Sequence, residues 1–326
     1  PVRLRGSLRF DKNSNFKARI TPRIAAVLSL GESRQHNVRL SYQTGFRNPA
    51  SQESYIALDI GEAIILGGTD DNLENYTYQN ADGVVLDGIV IREGLVTIPS
   101  FQAFVVSGGD NPGLLVPTSL EPLRQEQIST IEFGYKGLIE DQFFLDMNLY
   151  YSTYQDLVTR RNAFSPSAGR VFSLYANVPE RVTSTGFGVG IEWSAPLGYR
   201  VGTSYMYAEY NAEEAIRQNP EFLPGFNLPK HRFHAKVANR NVAENFGFQV
   251  DYRWSDTYMW QSPFGVGSIA SFQVVDAAIH YKIENVKSII KLGATNLLDN
   301  KYQTMYGGPF IGRQYYVSIM FDEFLR

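Results

Sequence analysis

The chain has 326 residues, 44% hydrophobic and 13% aromatic, with a net charge of −3 and no cysteine; its mean hydropathy is −0.22. No run approaches the ~20 apolar residues of a membrane helix. Without cysteine there is no disulfide or thiolate chemistry, and the mild acidity gives no electrostatic footprint for nucleic acid.

Alternation carries most of the information. In Val2 to Phe10 the residues Val2, Leu4, Leu8 and Phe10 share one face, and Arg3, Arg5, Ser7 and Arg9 share the other, as a strand requires. Turn residues 11–15 follow, then a second strand from Ile20 to Leu30, a turn at 31–36 that includes His36, and a third strand from Asn37 to Phe46. Opening at Pro1 directly in a strand pattern suggests a piece of a longer polypeptide, or a processed mature start.

The pattern stops between Arg47 and Arg124, where Gly67-Gly68, Gly108-Gly109 and Asn111-Pro112 punctuate short apolar runs. A connection this long is normally functional or disordered. Alternation resumes over Glu126 to Lys136 and again through Phe143 to Ser152. A loop is expected over roughly 160–178, strands over Thr183 to Trp193 and Tyr199 to Tyr207, and a Pro-rich loop over 211–230. Arg232 to Arg240 and 245–254 form the next pair. In the latter Phe246, Phe248, Val250, Tyr252 and Trp254 alternate with Gly247, Gln249, Asp251 and Arg253. Strands at Phe272 to Ile283 and Val286 to Asn296, and a last one with Tyr315, Val317, Ile319 and Phe321 on one face, complete about twelve. No convincing helix is visible beyond one short turn at Ala212 to Gln218.

The connections alternate short and long, and several strands reach the ~9–11 residues of a tilted membrane crossing. Short turns at one rim and long loops at the other are the pattern of outer-membrane barrels. The expected fold is therefore all-β, a transmembrane antiparallel β-barrel wall with apolar rows toward lipid and polar rows toward an aqueous interior. Expected inward charges include Arg3, Arg5, Arg9, Arg200, Arg232, Lys236, Arg253 and Lys287, against Glu132, Asp146, Glu192, Asp251 and Asp276. Gly186, Gly188 and Gly190 in one inner row suit a lumen crowded by a plug or substrate.

Sites for bond-making chemistry are weak. His231 and His234 are three apart, so on a strand they point to opposite faces and cannot share a metal; His36 and His280 look ordinary. The oxygen-rich run 69–75 lacks the spacing of a calcium loop. There is no Gly-x-Ser-x-Gly, and no metal or cofactor is expected. For ligand contact, Arg47, Tyr55, Tyr76, Tyr78 and Phe101 of the long loop are the candidates, because binding tends to sit on loops held by a rigid scaffold. The same rings are equally suited to packing the loop on its neighbours.

Three motifs stand in order: Thr44-Gly45-Phe46-Arg47-Asn48-Pro49; Asn296-Leu297-Leu298-Asp299-Asn300-Lys301-Tyr302; and Gly312-Arg313-Gln314-Tyr315-Tyr316-Val317. Together they resemble the carboxyl-terminal part of TonB-dependent outer-membrane receptors, in a style like that of the Bacteroidota. The tail departs from the family habit of an aromatic end, leaving Phe321 or Phe324 for that role. The resemblance implies the last twelve strands of a 22-stranded barrel closed by a plug that lies outside this sequence. It also implies import of a bulky nutrient, with outer-membrane lipid and TonB as partners and, in starch-utilisation-type systems, a surface lipoprotein lid. A passive porin-like channel, a twelve-stranded outer-membrane enzyme and a structural barrel subunit are the alternatives.

Overall fold

In the computed structural model, residues 1–118, 120–219, 222–262 and 265–321 are described; Phe324 and Pro263 lie outside them. Twelve long strands form one antiparallel sheet in strict chain order. They are β1 (Val2–Asp11), β2 (Arg19–Leu30), β3 (His36–Arg47), β4 (Glu126–Ile139), β5 (Phe143–Gln155), β6 (Val182–Ser194), β7 (Tyr199–Asn211), β8 (His231–Ala243), β9 (Phe246–Ser255), β10 (Phe272–Ile283), β11 (Ser288–Thr295) and β12 (Gln314–Phe321). β1 and β12 are the sheet's two edges. At the connections 31–35, 140–142, 195–198, 244–245 and 284–287 a turn of two to five residues leaves the next strand nowhere to pair but beside its predecessor.

Register places the two sets of rows as the alternation demands. Opposite Leu145, Met147 and Leu149 stand Ile191, Val189 and Phe187 on one side and Gly137, Tyr135 and Phe133 on the other. The outer rows are open: Leu4, Leu8, Val317 and Ile319 are each more than half exposed. Such a surface is stable only against something apolar. Aromatic pairs gather along these rows, among them Phe143 on Trp193 near the short-turn rim and Phe187 on Tyr207 toward the other rim.

The dry interior lies in the long connections, not in the wall. Residues 48–125 and the hairpin Leu157–Ser165/Arg170–Val178 build a cap. Ile64, Leu66, Leu73, Ile91, Leu95, Phe172 and Leu174 form its core, none more than 1% exposed. Strand Ile64–Leu66 runs parallel to residues 172–174, and Val96–Thr97 pairs with Ala163 and Phe164. A smaller core of Val178, Val182, Ala212, Ala215 and Phe222 sits at the same rim.

Several expectations are corrected here. The long loop is folded and contains helices Ser51–Tyr55, Asp70–Asn75, Gly88–Glu93 and Ile98–Val106. The loop expected at 160–178 is a hairpin, and 255–269 holds another, Tyr258–Ser262 with Gly265–Ile269. Each element is too short for its period to stand out, so burial in the shared core stabilises it, not local pattern. His36 begins β3, where its ring stacks on Tyr135. Lys287 lies in the turn before β11 with φ +48°, not in an inner row. The short helical turn expected at 212–218 is present as Glu213–Gln218.

Candidate functional site

The cap is fastened to the wall by a small set of polar contacts. Arg47, the last residue of β3, donates to Glu126 at the start of β4 and forks onto both carboxylate oxygens of Glu53 at 3.0 and 3.1 Å. Glu53 also accepts the Ala50 N–H (2.5 Å) at the start of helix Ser51–Tyr55, so one guanidinium ties the first turn of the cap to two wall strands. Asn177 does the same for the hairpin: its amide donates to the carbonyls of Arg124 (2.9 Å) and Asp156 (2.6 Å) and accepts the Arg124 N–H (2.6 Å). Arg124 pairs with Asp156 at 2.9 Å.

Gly67 and Gly68 lie where two backbones cross. A Cβ on Gly67 would stand 2.4 Å from the Ser54 carbonyl oxygen, and one on Gly68 2.3 Å from that of Tyr175. Neither has room for any side chain.

Of the five loop residues expected to meet ligand, Arg47 is committed to the clip just described. Tyr76 and Tyr78 pack on the cap core, Tyr78 edge-on to Phe172 at 6.1 Å. Phe101 stacks on Phe164. Tyr55 is the most open of the four rings, 43% exposed, with its hydroxyl against the Asn15 amide of the first long connection. Burial pushes the phenols of Tyr76 and Tyr175 above their ordinary value. The acid-rich run 69–75 is the N-cap Thr69 and the whole of helix Asp70–Asn75, with Leu73 in the core, Asp70 3.2 Å from Arg92 and Asn72 donating to Gly67. Its first-turn acids meet the positive end of the helix dipole.

The inner rows form a ladder of paired charges. Arg39 donates to Glu132 (2.7 Å), Lys136 meets Asp146 (2.9 Å), and Arg253 donates to Asp276 (2.7 Å). Lys236 reaches toward Glu192 (3.7 Å) over Gly202, which stands between them in register. Asp251 accepts from Gln249 (2.6 Å) and faces His234 (3.2 Å). Arg232 makes no side-chain hydrogen bond or ion pair among the described residues; with His234, Arg253, Tyr258 and Phe272 it lines a cleft of about 420 Å³ under segment 227–229. His231 instead faces outward, its ring on Tyr205 and Tyr207. The glycine row of β6 receives side chains of its neighbour: the Tyr150 ring lies over Gly186 and the Asn148 amide over Gly188.

The motif at 296–302 has a structural part that its spelling does not disclose. Asn296, 1% exposed, donates its side-chain amide to the Asn300 carbonyl (2.8 Å) and accepts the Asn300 N–H (3.1 Å). Asp299 accepts the Arg313 N–H at 2.8 Å and Lys301 Nζ at 3.0 Å. Those bonds, the backbone one first, hold its carboxyl below the usual carboxylate range. Asn177 was not singled out from the sequence, and Asn296 only as a letter of its motif; a buried Asn shows its role only once its backbone partners are placed.

A sequence model of the family described as "TonB dependent receptor-like, beta-barrel" matches residues 1–297. No curated protein matches the chain. Among solved structures, the siderophore receptor PirA from Pseudomonas aeruginosa is similar at TM-score 0.58 and 14% identity, over 98% of this chain and 45% of that one. A mutant of the ferric enterobactin receptor PfeA from the same organism gives TM-score 0.63 and 11% identity, over 98% and 42%. The FrpB iron transporter from Neisseria meningitidis gives 0.57 and 12%, over 93% and 39%. At these identities the likeness concerns the fold, and the chain spans less than half the length of each of the three. With the family match covering nearly all of its length, the chain belongs to the TonB-dependent receptor β-barrels.

Proposed function

We propose that this chain is part of the wall and surface cap of an outer-membrane active transporter, driven through TonB, that imports a bulky nutrient such as a glycan, peptide or siderophore. The observation that carries the reading is the two-sided wall: apolar rows left open on one face, paired charges on the other, under a folded cap at one rim. Backbone in a bilayer must be fully paired, so the unpaired edges of β1 and β12 fit a wall completed by further strands. A lumen of 22 strands is wide enough to need a plug, and the plug would carry the TonB contact. A Bacteroidota source and a surface lipoprotein lid belong to the same reading.

Cargo contact is assigned to the cap, with Tyr55 its most open ring and Arg47, Tyr76, Tyr78 and Phe101 shaping that surface from behind. The cleft with Arg232 and Arg253 lies below it. The names of the similar structures, receptors for siderophores and a transporter of iron, support uptake as the activity; they do not choose the cargo.

The experiment is uptake in cells carrying or lacking the receptor gene, each with and without TonB. Growth on the cargo that requires both supports the reading. Uptake that persists without TonB points to a passive channel and overturns it.

A further inference from the structure

Under the base of the cap, the inner rows of β1, β2 and β3 bound an open cavity of about 560 Å³. Ser7, Arg23 and Gln43 stand opposite one another across the three strands, and Arg9 stands opposite Thr21 in the next row. Asn48 and Gln125, the two ends of the cap, and Asn13 of the first long connection complete it. Asn15 of that connection meets the Tyr55 hydroxyl, so cavity and cap share a border. Among the described lining residues Phe46 alone is apolar.

The cavity presents donors by construction. Arg19 can only donate, and its guanidinium fixes the side-chain oxygen of Gln125 at 2.9 Å. Gln125, 3% exposed, must then turn its NH2 to Asn48, whose oxygen accepts it at 2.9 Å. Asn48 is left with its oxygen committed and its own NH2 without a partner among the described residues. Asn13 is in the same state, because its oxygen accepts the Asn15 N–H at 2.9 Å. The side chains of Ser7, Thr21, Arg23 and Gln43 make no hydrogen bond or ion pair among the described residues. Asp11 answers Arg9 at 2.6 Å, while Lys12 reaches only the Phe16 carbonyl, at 3.3 Å. Positive charge therefore remains unanswered at Arg23 and Lys12.

We propose that this cavity binds a sugar unit of the cargo that carries an anionic group, a carboxylate or a sulfate. The inference rests on the importer reading above and narrows its cargo to an acidic glycan. Arg23 takes the anionic group, and the NH2 groups of Asn13 and Asn48 donate to the oxygens around it. Ser7, Thr21 and Gln43 can both donate and accept, which is what sugar hydroxyls require of their partners. Pockets for small molecules are lined mainly by apolar and aromatic side chains, and this one is not. A hydrocarbon ring or an apolar peptide side chain would strip water from these groups and return no hydrogen bond, leaving them unpaired. A lone inorganic anion would occupy Arg23 and leave the amides unanswered.

The test is binding of the full-length receptor in detergent to an array of uronate-bearing, sulfated and neutral oligosaccharides, with ferric siderophores and short peptides as further arms. The expected result is retention of a uronate-bearing or sulfated member over the neutral sugar of the same linkage, weakened as salt rises from about 0.1 M to about 1 M. The class retained identifies the anion. Arg23→Gln should weaken that binding by about tenfold or more, and Arg23→Lys by less. Asn13→Asp and Asn48→Asp should each weaken it as well. Aspartate keeps the oxygen that Asn15 or Gln125 bonds and removes only the NH2, so these variants keep the fold's own contacts. Equal retention of neutral sugars, retention of a siderophore or peptide alone, or retention of nothing overturns the assignment. So does acidic-sugar binding that is indifferent to Arg23→Gln, Asn13→Asp and Asn48→Asp. Each of those results leaves the importer standing where uptake still requires TonB; uptake without TonB removes the importer and leaves the binding result to judge the cavity.

Discussion

Asp276 serves Arg253 and the chain beyond β10 at once. One carboxylate oxygen accepts from the Arg253 guanidinium at 2.7 Å, and the other accepts the backbone N–H of Asn296 at 2.8 Å. The inner ladder and the motif that follows β11 are therefore joined through one side chain. Asp276→Ala strands the guanidinium and leaves the Asn296 amide without its acceptor, at a cost of about 2 kcal/mol. Asp276→Asn keeps an acceptor for the amide and loses only the ion pair, costing less than about 1 kcal/mol. Urea midpoints of the folded receptor in detergent should rank wild type, Asn, Ala; equal midpoints for the two variants would contradict the double role.

The assignment of faces is tested within β9. Val250→Arg places a guanidinium in an outer row and should cost about 2–4 kcal/mol if that row lies near the bilayer midplane. Gln249→Arg, its neighbour in an inner row, should be tolerated. Folding into lipid vesicles, followed by gel mobility, separates them. Equal tolerance would mean that the apolar rows do not meet acyl chains.

The cap should melt without the wall. Phe172 is fully buried in the cap core, and Phe172→Ala is expected to cost about 3–5 kcal/mol. Gly68→Val meets the Tyr175 carbonyl and should have a comparable effect. Both variants should become protease-sensitive within 48–125 while strand circular dichroism holds. Loss of the whole sheet signal would show that cap and wall fold as one unit.

Acid should loosen the same region. The Asp59 carboxyl is held below its ordinary value, first by the Gly61 N–H and then by Arg170. A lowered value in the fold means the contribution is present above the unfolded value, about 3.9, and is lost as pH falls from there through the lowered one. Hydrogen exchange around Asp59 and Arg170 should rise across that window in the wild type, and Asp59→Asn should remove the pH dependence. Asp59 is exposed and Arg170 half-buried, so the change is local and small.

The wall was legible because its rule is binary and sustained. Phe246 to Trp254 repeats in-and-out over nine positions, and an inward Asp251 or Arg253 follows from parity alone. The cap was not, for a physical reason. Ile64–Leu66 is three residues long and is secured by residues 172–174 more than a hundred positions later, so no local window contains the cause. Gly67-Gly68 read as a break in structure and is instead a crossing of two backbones. Arg47, Tyr78 and Phe101 disclosed their type but not their partners, Glu53, Phe172 and Phe164. Some of the cap was available in hindsight: Thr97 accepts from the Ser100 N–H and Asp87 from the Val90 N–H, and both are helix-start signals.

The crossing at Gly67 and Gly68 also sets how the cap can diversify. Exposed positions such as Val84 and Val106 are free to drift, because more than half of each side chain is open to solvent. The two glycines are not, since any replacement collides with a carbonyl. Sequence variation in the cap should therefore gather at the tips and leave a fixed pivot beneath them.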